Sequence, residues 1–158
     1  MLFDSHAHYN DERFNDDRDA VLSAMQENNV GLILNSCSSL DEVKDIFDIC
    51  EKYPFVYASV GIHPHEAENL NEADMGVLKE YAKSPYVKAI GEIGLDYYYD
   101  FSPRKIQQKW FARQVDIARE LNLPVVIHDR DAHKDTMDIL RAHNVRDTGG
   151  VFHCYAGS

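Results

Sequence analysis

Long apolar runs are missing from this 158-residue sequence. No segment approaches the roughly 20 apolar residues that a membrane-spanning helix needs. The first residues, MLFDSHAHYND, carry acids and histidines where a secretory signal would carry basic residues and an apolar stretch. We therefore expect a soluble, cytoplasmic protein that does not contact a membrane.

Cysteine is also scarce. The three cysteines are Cys37, Cys50 and Cys154, and no two of them form a CxxC pair. An odd number of widely spaced cysteines argues against both a disulfide framework and a zinc site built from thiolates. We predict that all three are reduced thiols that pack as small apolar groups.

Basic residues are few compared with acidic ones. The chain has 16 Lys and Arg against 27 Asp and Glu, which gives a formal net charge of -11. This balance excludes a general electrostatic attraction to nucleic acid, because such binding depends on Lys and Arg releasing counterions from phosphates. A phosphate-bearing substrate would need positive charge supplied locally, and bound divalent cations are one source of it.

Short apolar segments and amphipathic segments alternate along the chain. The period is about thirty residues, close to one βα unit of a TIM barrel of ~250 residues. No GxGxxG motif follows the first apolar segment, which argues against a Rossmann fold. We predict an α/β fold of the (β/α)8 TIM-barrel type and a single domain over residues 1–158. The predicted strands are 2–4, 31–35, 55–60, 87–90, 124–128 and 151–153.

The predicted helices show a core-facing stripe. In the second, Val43, Ile46, Phe47 and Cys50 repeat at the three-four spacing of an amphipathic helix. The fourth is predicted to begin with Ser102 as its N-cap and Pro103 at its first helical position. Its basic residues are predicted to be solvated surface; they are Arg104, Lys105, Lys109 and Arg113.

Histidines and one glutamate follow the predicted strands. Because the carboxyl ends of parallel strands meet at one edge of a barrel, we expect these side chains to converge. Four imidazoles and a carboxylate around one cavity are typical metal ligands. Histidines bonded to backbone carbonyls, or a glutamate paired with Arg or Lys, are the alternatives. The five candidate ligands are His6, His8, Glu92, His128 and His153.

Two further histidines, His63 and His65, flank a proline after the third predicted strand, and we interpret them as substrate contacts. The remaining two, His133 and His143, lie in a predicted helix and are expected to be ordinary surface residues.

Two other polar residues are candidate substrate contacts. Arg130 could grip a phosphate oxygen, or form a bridge to Asp129 or Asp131. Asp96 precedes three tyrosines whose rings could stack on unpaired bases or form an aromatic lid over the barrel mouth. For Arg130 and for the tyrosines after Asp96, the sequence is compatible with both roles.

Five segments carry a resemblance to a known family. FDSHAHYND, GIHPHEA, AIGEIGLDYYYD, PVVIHDRDA and VFHCYAGS are similar, in this order, to the successive motifs of the TatD family of metal-dependent DNases. The resemblance implies a TIM-barrel hydrolase that cleaves phosphodiester bonds in DNA, often as a 3′ to 5′ exonuclease on single strands. It also implies two divalent ions: His6 and His8 would bind one, His128 and His153 the other, and Glu92 would bridge them.

Zinc or manganese suits this mixture of histidine and carboxylate better than magnesium, although magnesium could support turnover. The same site could instead hydrolyse a carboxylic ester, as in deacylation of aminoacyl-tRNA.

The family pattern continues through two more strands to an aspartate that binds the first metal. The resemblance therefore predicts a barrel truncated after its sixth strand, with about two βα units absent. An inactive metal-binding fragment is the remaining alternative. We also expect self-association through the open edges of the first and sixth strands.

Overall fold

Six parallel strands form one sheet in the computed structural model, which describes residues 1–155. The strands follow one another across the sheet in chain order, and every neighbouring pair is parallel. The sheet curls into part of a barrel, which confirms the predicted α/β fold of TIM-barrel type. The strands are β1 (Leu2–Ala7), β2 (Val30–Ser36), β3 (Val56–Val60), β4 (Val87–Asp96), β5 (Val125–Arg130) and β6 (Gly150–Phe152).

Helices connect successive strands. They are α1 (Arg18–Ala24), α2 (Val43–Lys52), α3 (Glu72–Tyr81), α4 (Arg104–Leu121) and α5 (His133–Ala142). The apolar stripe predicted for α2 is largely correct: Val43, Ile46 and Cys50 are buried. Ile49 is buried as well, whereas Phe47 is only half-buried against the core. Within the described residues, no helix is long and apolar enough to cross a membrane.

The start of α4 differs from the prediction. The helix begins at Arg104, and Pro103 is its N-cap residue without a side-chain capping hydrogen bond. Ser102 is fully buried and serves another segment: its hydroxyl donates to the carbonyl of His65 and accepts from the amide of Glu68. Ser102 therefore ties the short 3₁₀ segment after β3 to the start of α4.

Three strands extend well beyond their predicted ends. The predicted first strand stops at residue 4, whereas β1 continues to Ala7. The predicted fourth strand ends at residue 90 and the predicted fifth at 128, whereas β4 continues to Asp96 and β5 to Arg130. β4 and β5 remain paired over these extra residues, with Gly94 opposite His128 and Asp96 opposite Arg130. In β4 the apolar alternation continues through the fully buried Ile93 and Leu95, while polar side chains on the other face of the strand point to the site.

The main core lies between the sheet and its helices. Its largest fully buried side chains include Phe111 from α4, Leu78 from α3 and Ile93 from β4. A smaller apolar cluster, formed by Leu34, Ala89 and Val126, lies on the other face of the sheet. Both faces of the central strands are therefore apolar, as expected for parallel strands. This packing holds the carboxyl ends of the strands together at one rim.

Candidate metal centre

The end of β1 brings two imidazoles side by side. His6 is the penultimate residue of β1, and His8 follows two residues later on the same side. Their Nε2 atoms are 3.0 Å apart. Nδ1 of His6 lies 3.2 Å from the hydroxyl of Ser36, which in turn accepts a hydrogen bond from Ser59. These serines at the ends of β2 and β3 orient the His6 ring, and the sequence prediction did not include them.

Glu92 lies at the centre of the cluster. It is inside β4 and only 3% exposed. Its Oε2 is 3.3 Å from Nε2 of His6 and 3.4 Å from Nε2 of His8. Its Oε1 is 3.0 Å from Nδ1 of His128 and 2.5 Å from Nε2 of His153. Each carboxylate oxygen therefore faces a different pair of histidines.

The alternative pairing of Glu92 with Arg or Lys is not found among residues 1–155, where its ion-pair partners are all histidines. Burial by itself would raise the pKa of Glu92. Hydrogen bonds from His128, His153, His6 and His8 outweigh burial and hold its pKa well below the usual range. The carboxylate is therefore ionised and available to a cation.

His63 lies closer to the cluster than predicted. Its Nε2 is 3.8 Å from Oε1 of Glu92, and its ring meets the ring of His128 edge to face. Burial lowers the pKa of His63 to about 3, so the ring is neutral at physiological pH. Its Nδ1 accepts a hydrogen bond from the amide of His65. His63 therefore belongs geometrically with the candidate ligands as well as with the predicted substrate contacts.

Among residues 1–155, two groups of three side chains are compact enough to hold a metal ion. They are His6, Glu92 and His153, and His63, Glu92 and His128, with ligand atoms within 4.8 Å of one another in each group. Glu92 is common to both. Imidazole nitrogens with one carboxylate suit zinc or manganese, so the donor set fits a divalent metal.

Asp96, a predicted substrate contact, is fully buried instead. Its Oδ2 is 2.9 Å from Nε2 of His65 and 3.1 Å from Nε2 of His128. Its Oδ1 accepts hydrogen bonds from the amides of Tyr98 and Tyr99. Burial would raise the pKa of Asp96, but these hydrogen bonds outweigh it and lower the pKa. Both oxygens are engaged within the protein, which favours an orienting role.

Arg130 makes neither of the predicted bridges. Its guanidinium carbon lies 4.1 Å from the ring centre of Tyr98 and 4.8 Å from that of Tyr99. Within residues 1–155 it forms no ion pair with Asp129 or Asp131; instead, Asp129 lies 2.8 Å from Nδ1 of His133. The bridge alternative is therefore not found, and Arg130 stacks on tyrosine rings.

A cavity of about 740 Å³ opens beside the histidines. It is lined by His128, Asp129, Arg130, Asp131, His133, His153, Cys154 and Tyr155. His133 is exposed, as predicted, but it borders this cavity. His143 is half-buried and pairs with Asp116 away from the cluster. The last three residues of the motif VFHCYAGS, at positions 156–158, lie outside the described residues.

The family described as TatD related DNase matches residues 3–158 of the chain. The chain belongs to this family. This confirms the resemblance seen in the sequence.

Several relatives are similar over almost the whole chain. The uncharacterised metal-dependent hydrolase YabD of Bacillus subtilis is 39% identical over 100% of this chain and 62% of its own length. The 3′-5′ ssDNA/RNA exonuclease TatD of Musicola paradisiaca is 34% identical over 99% of this chain and 60% of its own. This TatD-family chain thus spans about three fifths of the length of the curated relatives it matches.

Solved structures show the same fold. YJJV, a TatD homolog from Escherichia coli, has a TM-score of 0.91 at 28% identity, covering 99% of this chain and 61% of its own. A TatD family hydrolase from Entamoeba histolytica has a TM-score of 0.90 at 25% identity, covering 100% and 59%. The rim that carries the histidines is therefore part of a shared family architecture.

Proposed function

We propose that the protein is a metal-dependent hydrolase that cleaves phosphodiester bonds of single-stranded DNA from the 3′ end. The division of Glu92 between two histidine pairs carries the proposal, because one carboxylate facing two sets of imidazoles is suited to bridge two divalent ions. The relative from Musicola paradisiaca, named a 3′-5′ ssDNA/RNA exonuclease, supports the choice of substrate.

The proposed ligands are His6 and His8 for one ion, His128 and His153 for the other, and Glu92 for both. His63 forms a compact group with Glu92 and His128 and is near enough to bind the same ion as His128, whereas His153 is also grouped with His6 and Glu92. Bound ions would lower the pKa of a water molecule and offset negative charge on the phosphoryl oxygens. They would also supply the positive charge that a chain with a net charge of -11 lacks.

The protein side chains have supporting tasks in this proposal. Ionised Glu92 and neutral His63 present lone pairs without first losing a proton at physiological pH. Oδ2 of Asp96 lies 3.1 Å from Nε2 of His128 and so orients that ring with its Nδ1 facing Glu92. Arg130 stands at the rim, where its guanidinium can contact a phosphate. His65 is the second histidine held by Asp96, and we retain it as a proposed substrate contact.

Two measurements test the proposal together: the metal content of the protein and the shortening of a DNA strand. We expect at least one equivalent of zinc or manganese on protein purified without chelator, and shortening of a 5′-labelled single strand from its 3′ end. Glu92→Gln, which keeps the shape but removes the charge, should lose metal and reduce cleavage by orders of magnitude. His128→Ala should do the same.

His143→Ala is the matched control, because His143 is also half-buried and paired with an aspartate but lies outside the cluster. It should retain metal and activity. Absence of metal from every sample would contradict the metal assignment. Metal binding with release of a carboxylic acid from an ester, and no cleavage of DNA, would instead favour the deacylase alternative.

A further inference from the structure

Three aromatic side chains lie exposed beside the candidate metal centre. Tyr98, Tyr99 and Phe101 are 59%, 47% and 62% exposed. Tyr99 and Phe101 stack with ring centres 5.2 Å apart, and Tyr98 meets Tyr99 edge to face at 4.9 Å. We call these three side chains the aromatic platform. Clustered exposed aromatic side chains mark interaction sites, because removing their apolar surface from water is favourable.

The aromatic platform is continuous with the histidine cluster. The ring of His65 lies 4.7 Å from that of Phe101 and 5.5 Å from that of Tyr99. The same ring is 6.3 Å from His128, one of the proposed ligands. A group that packs on the platform would therefore lie next to the reacting centre.

The loop that carries the platform is held in place by hydrogen bonds at one end and by an ion pair at the other. Asp96 accepts from the amides of Tyr98 and Tyr99. The amide of Tyr97 donates to the carbonyl of Arg130 at 2.8 Å. Arg104 anchors the other end by pairing with Asp100. Such a surface is ordered before a ligand arrives, so binding loses little conformational entropy there.

A cationic side chain, that of Arg130, lies against the aromatic rings. Arg130 stacks on Tyr98 and Tyr99, and no carboxylate of residues 1–155 forms an ion pair with it. Aromatic faces next to an arginine without a carboxylate partner suit a ligand that is itself flat, aromatic and linked to a negative charge. An unpaired nucleotide has all three properties, since its base is planar and its phosphate is anionic.

We propose that the aromatic platform and Arg130 form a subsite that stacks an unpaired base next to the scissile phosphodiester. The inference rests on the proposed function and deepens it, because it names the part of the substrate that is recognised. Bases in a duplex are already stacked on their neighbours, so this subsite selects single strands. Stacking is tolerant of sequence, and little preference among the four bases is expected.

Binding of two matched single strands tests the subsite. One is an oligothymidine with hydrolysis-resistant phosphorothioate linkages, and the other has the same backbone without bases. In manganese buffer, fluorescence anisotropy should show about tenfold tighter binding of the strand that carries bases. The double variant Tyr99→Leu with Phe101→Leu should abolish this preference and leave binding of the abasic strand unchanged.

Two variants serve as controls. Phe101→Tyr keeps an aromatic face and should keep the preference. Phe3→Leu makes the same change as Phe101→Leu on a phenylalanine that is 57% exposed at the opposite end of the strands, and it should also keep the preference.

Equal binding of both strands by the wild-type protein, with cleavage of ordinary DNA intact, would overturn the subsite alone. Retention of the preference in the double variant would overturn it as well. No binding of either strand and no cleavage would overturn the proposed function, and the subsite with it.

Discussion

At the scale of single residues, the buried carboxylate of Asp96 connects the parts of the site. One oxygen lies within hydrogen-bonding distance of His65 and His128, and the other accepts from the amides of Tyr98 and Tyr99. A carboxylate that is hydrogen-bonded to the ring nitrogen not used for metal binding sets the tautomer of the histidine and raises the basicity of the ring. Asp96 thus links a proposed ligand to the aromatic platform.

Asp96→Asn should weaken binding of manganese or zinc by about 10-fold to 100-fold. An asparagine amide nitrogen facing His128 would reverse the tautomer, and one facing the tyrosine amides would oppose another donor. Metal titration by calorimetry measures the effect, with far-UV circular dichroism to check the fold.

Asp135→Asn is the matched control for this change, because Asp135 accepts from Tyr97 and Gln108 without contacting a histidine. We expect wild-type metal affinity for it. Equal metal affinity of Asp96→Asn and the wild type would refute the orienting role.

The cysteines offer a second prediction at this scale. Burial raises the pKa of Cys37 and of Cys50 to about 12, whereas Cys154 is exposed. Only a thiolate reacts quickly with a disulfide reagent, so one thiol per chain should react at pH 8 in the folded protein. All three should react in guanidinium. Cys154→Ser should remove the fast reaction, and two or more fast thiols in the native wild type would contradict the burial.

At the scale of secondary structure, the contact between β4 and β5 positions the centre. Gly94 has a φ of 151°, a value that side chains rarely allow, and a Cβ there would overlap the carbonyl oxygen of His128. The close approach keeps Gly94 opposite His128 in the sheet. It therefore sets the position of His128 relative to Glu92.

Gly94→Ala should destabilise the fold by about 3 kcal/mol, because the backbone of β5 must move to admit the methyl group. Gly76→Ala is the control: Gly76 lies in α3, a Cβ added there would meet no other atom within 4 Å, and alanine should stabilise that helix by about 0.5–1 kcal/mol. Urea unfolding measures both free energies. Unchanged stability of Gly94→Ala would show that the two strands are not held this closely.

At the scale of the whole molecule, one face of the sheet is apolar and partly open. A cavity of about 620 Å³ lies on it and is lined by residues of all six strands, among them Phe3, Leu32 and Val151. These three side chains are 57%, 37% and 38% exposed. In the described part of the chain, β1 and β6 each pair with one strand only. Open edges and exposed apolar surface both favour association.

The 158-residue chain should therefore self-associate as its concentration rises, and sedimentation velocity should show mass above that of the monomer. Leu32→Glu should reduce the association because it places a charge on the apolar face. Val77→Glu should leave it unchanged, since Val77 is 44% exposed but lies on the outer helix α3. A monomer at all concentrations would contradict the prediction.

Local pattern alone was sufficient to predict the fold and the convergence of the proposed ligands. Apolar runs of strand length separated by amphipathic segments indicate parallel strands, and parallel strands bring their carboxyl ends to one rim. The histidines near the ends of β1, β5 and β6 were then expected to meet Glu92, which lies in the second half of β4. The apolar runs and the polar residues that follow them are patterns of neighbouring residues in the chain, which is why the sequence reveals them.

The tertiary structure decided which atoms face each other. The proximity of His63 to Glu92, the burial of Asp96 and the stacking of Arg130 on tyrosines were not evident beforehand. Each depends on the register between strands and on distances between residues far apart in sequence, as in the pairing of Asp96 with Arg130 across β4 and β5. A shift of one residue would turn every side chain of a strand to the opposite face, and no local pattern shows which residues of two strands lie opposite each other.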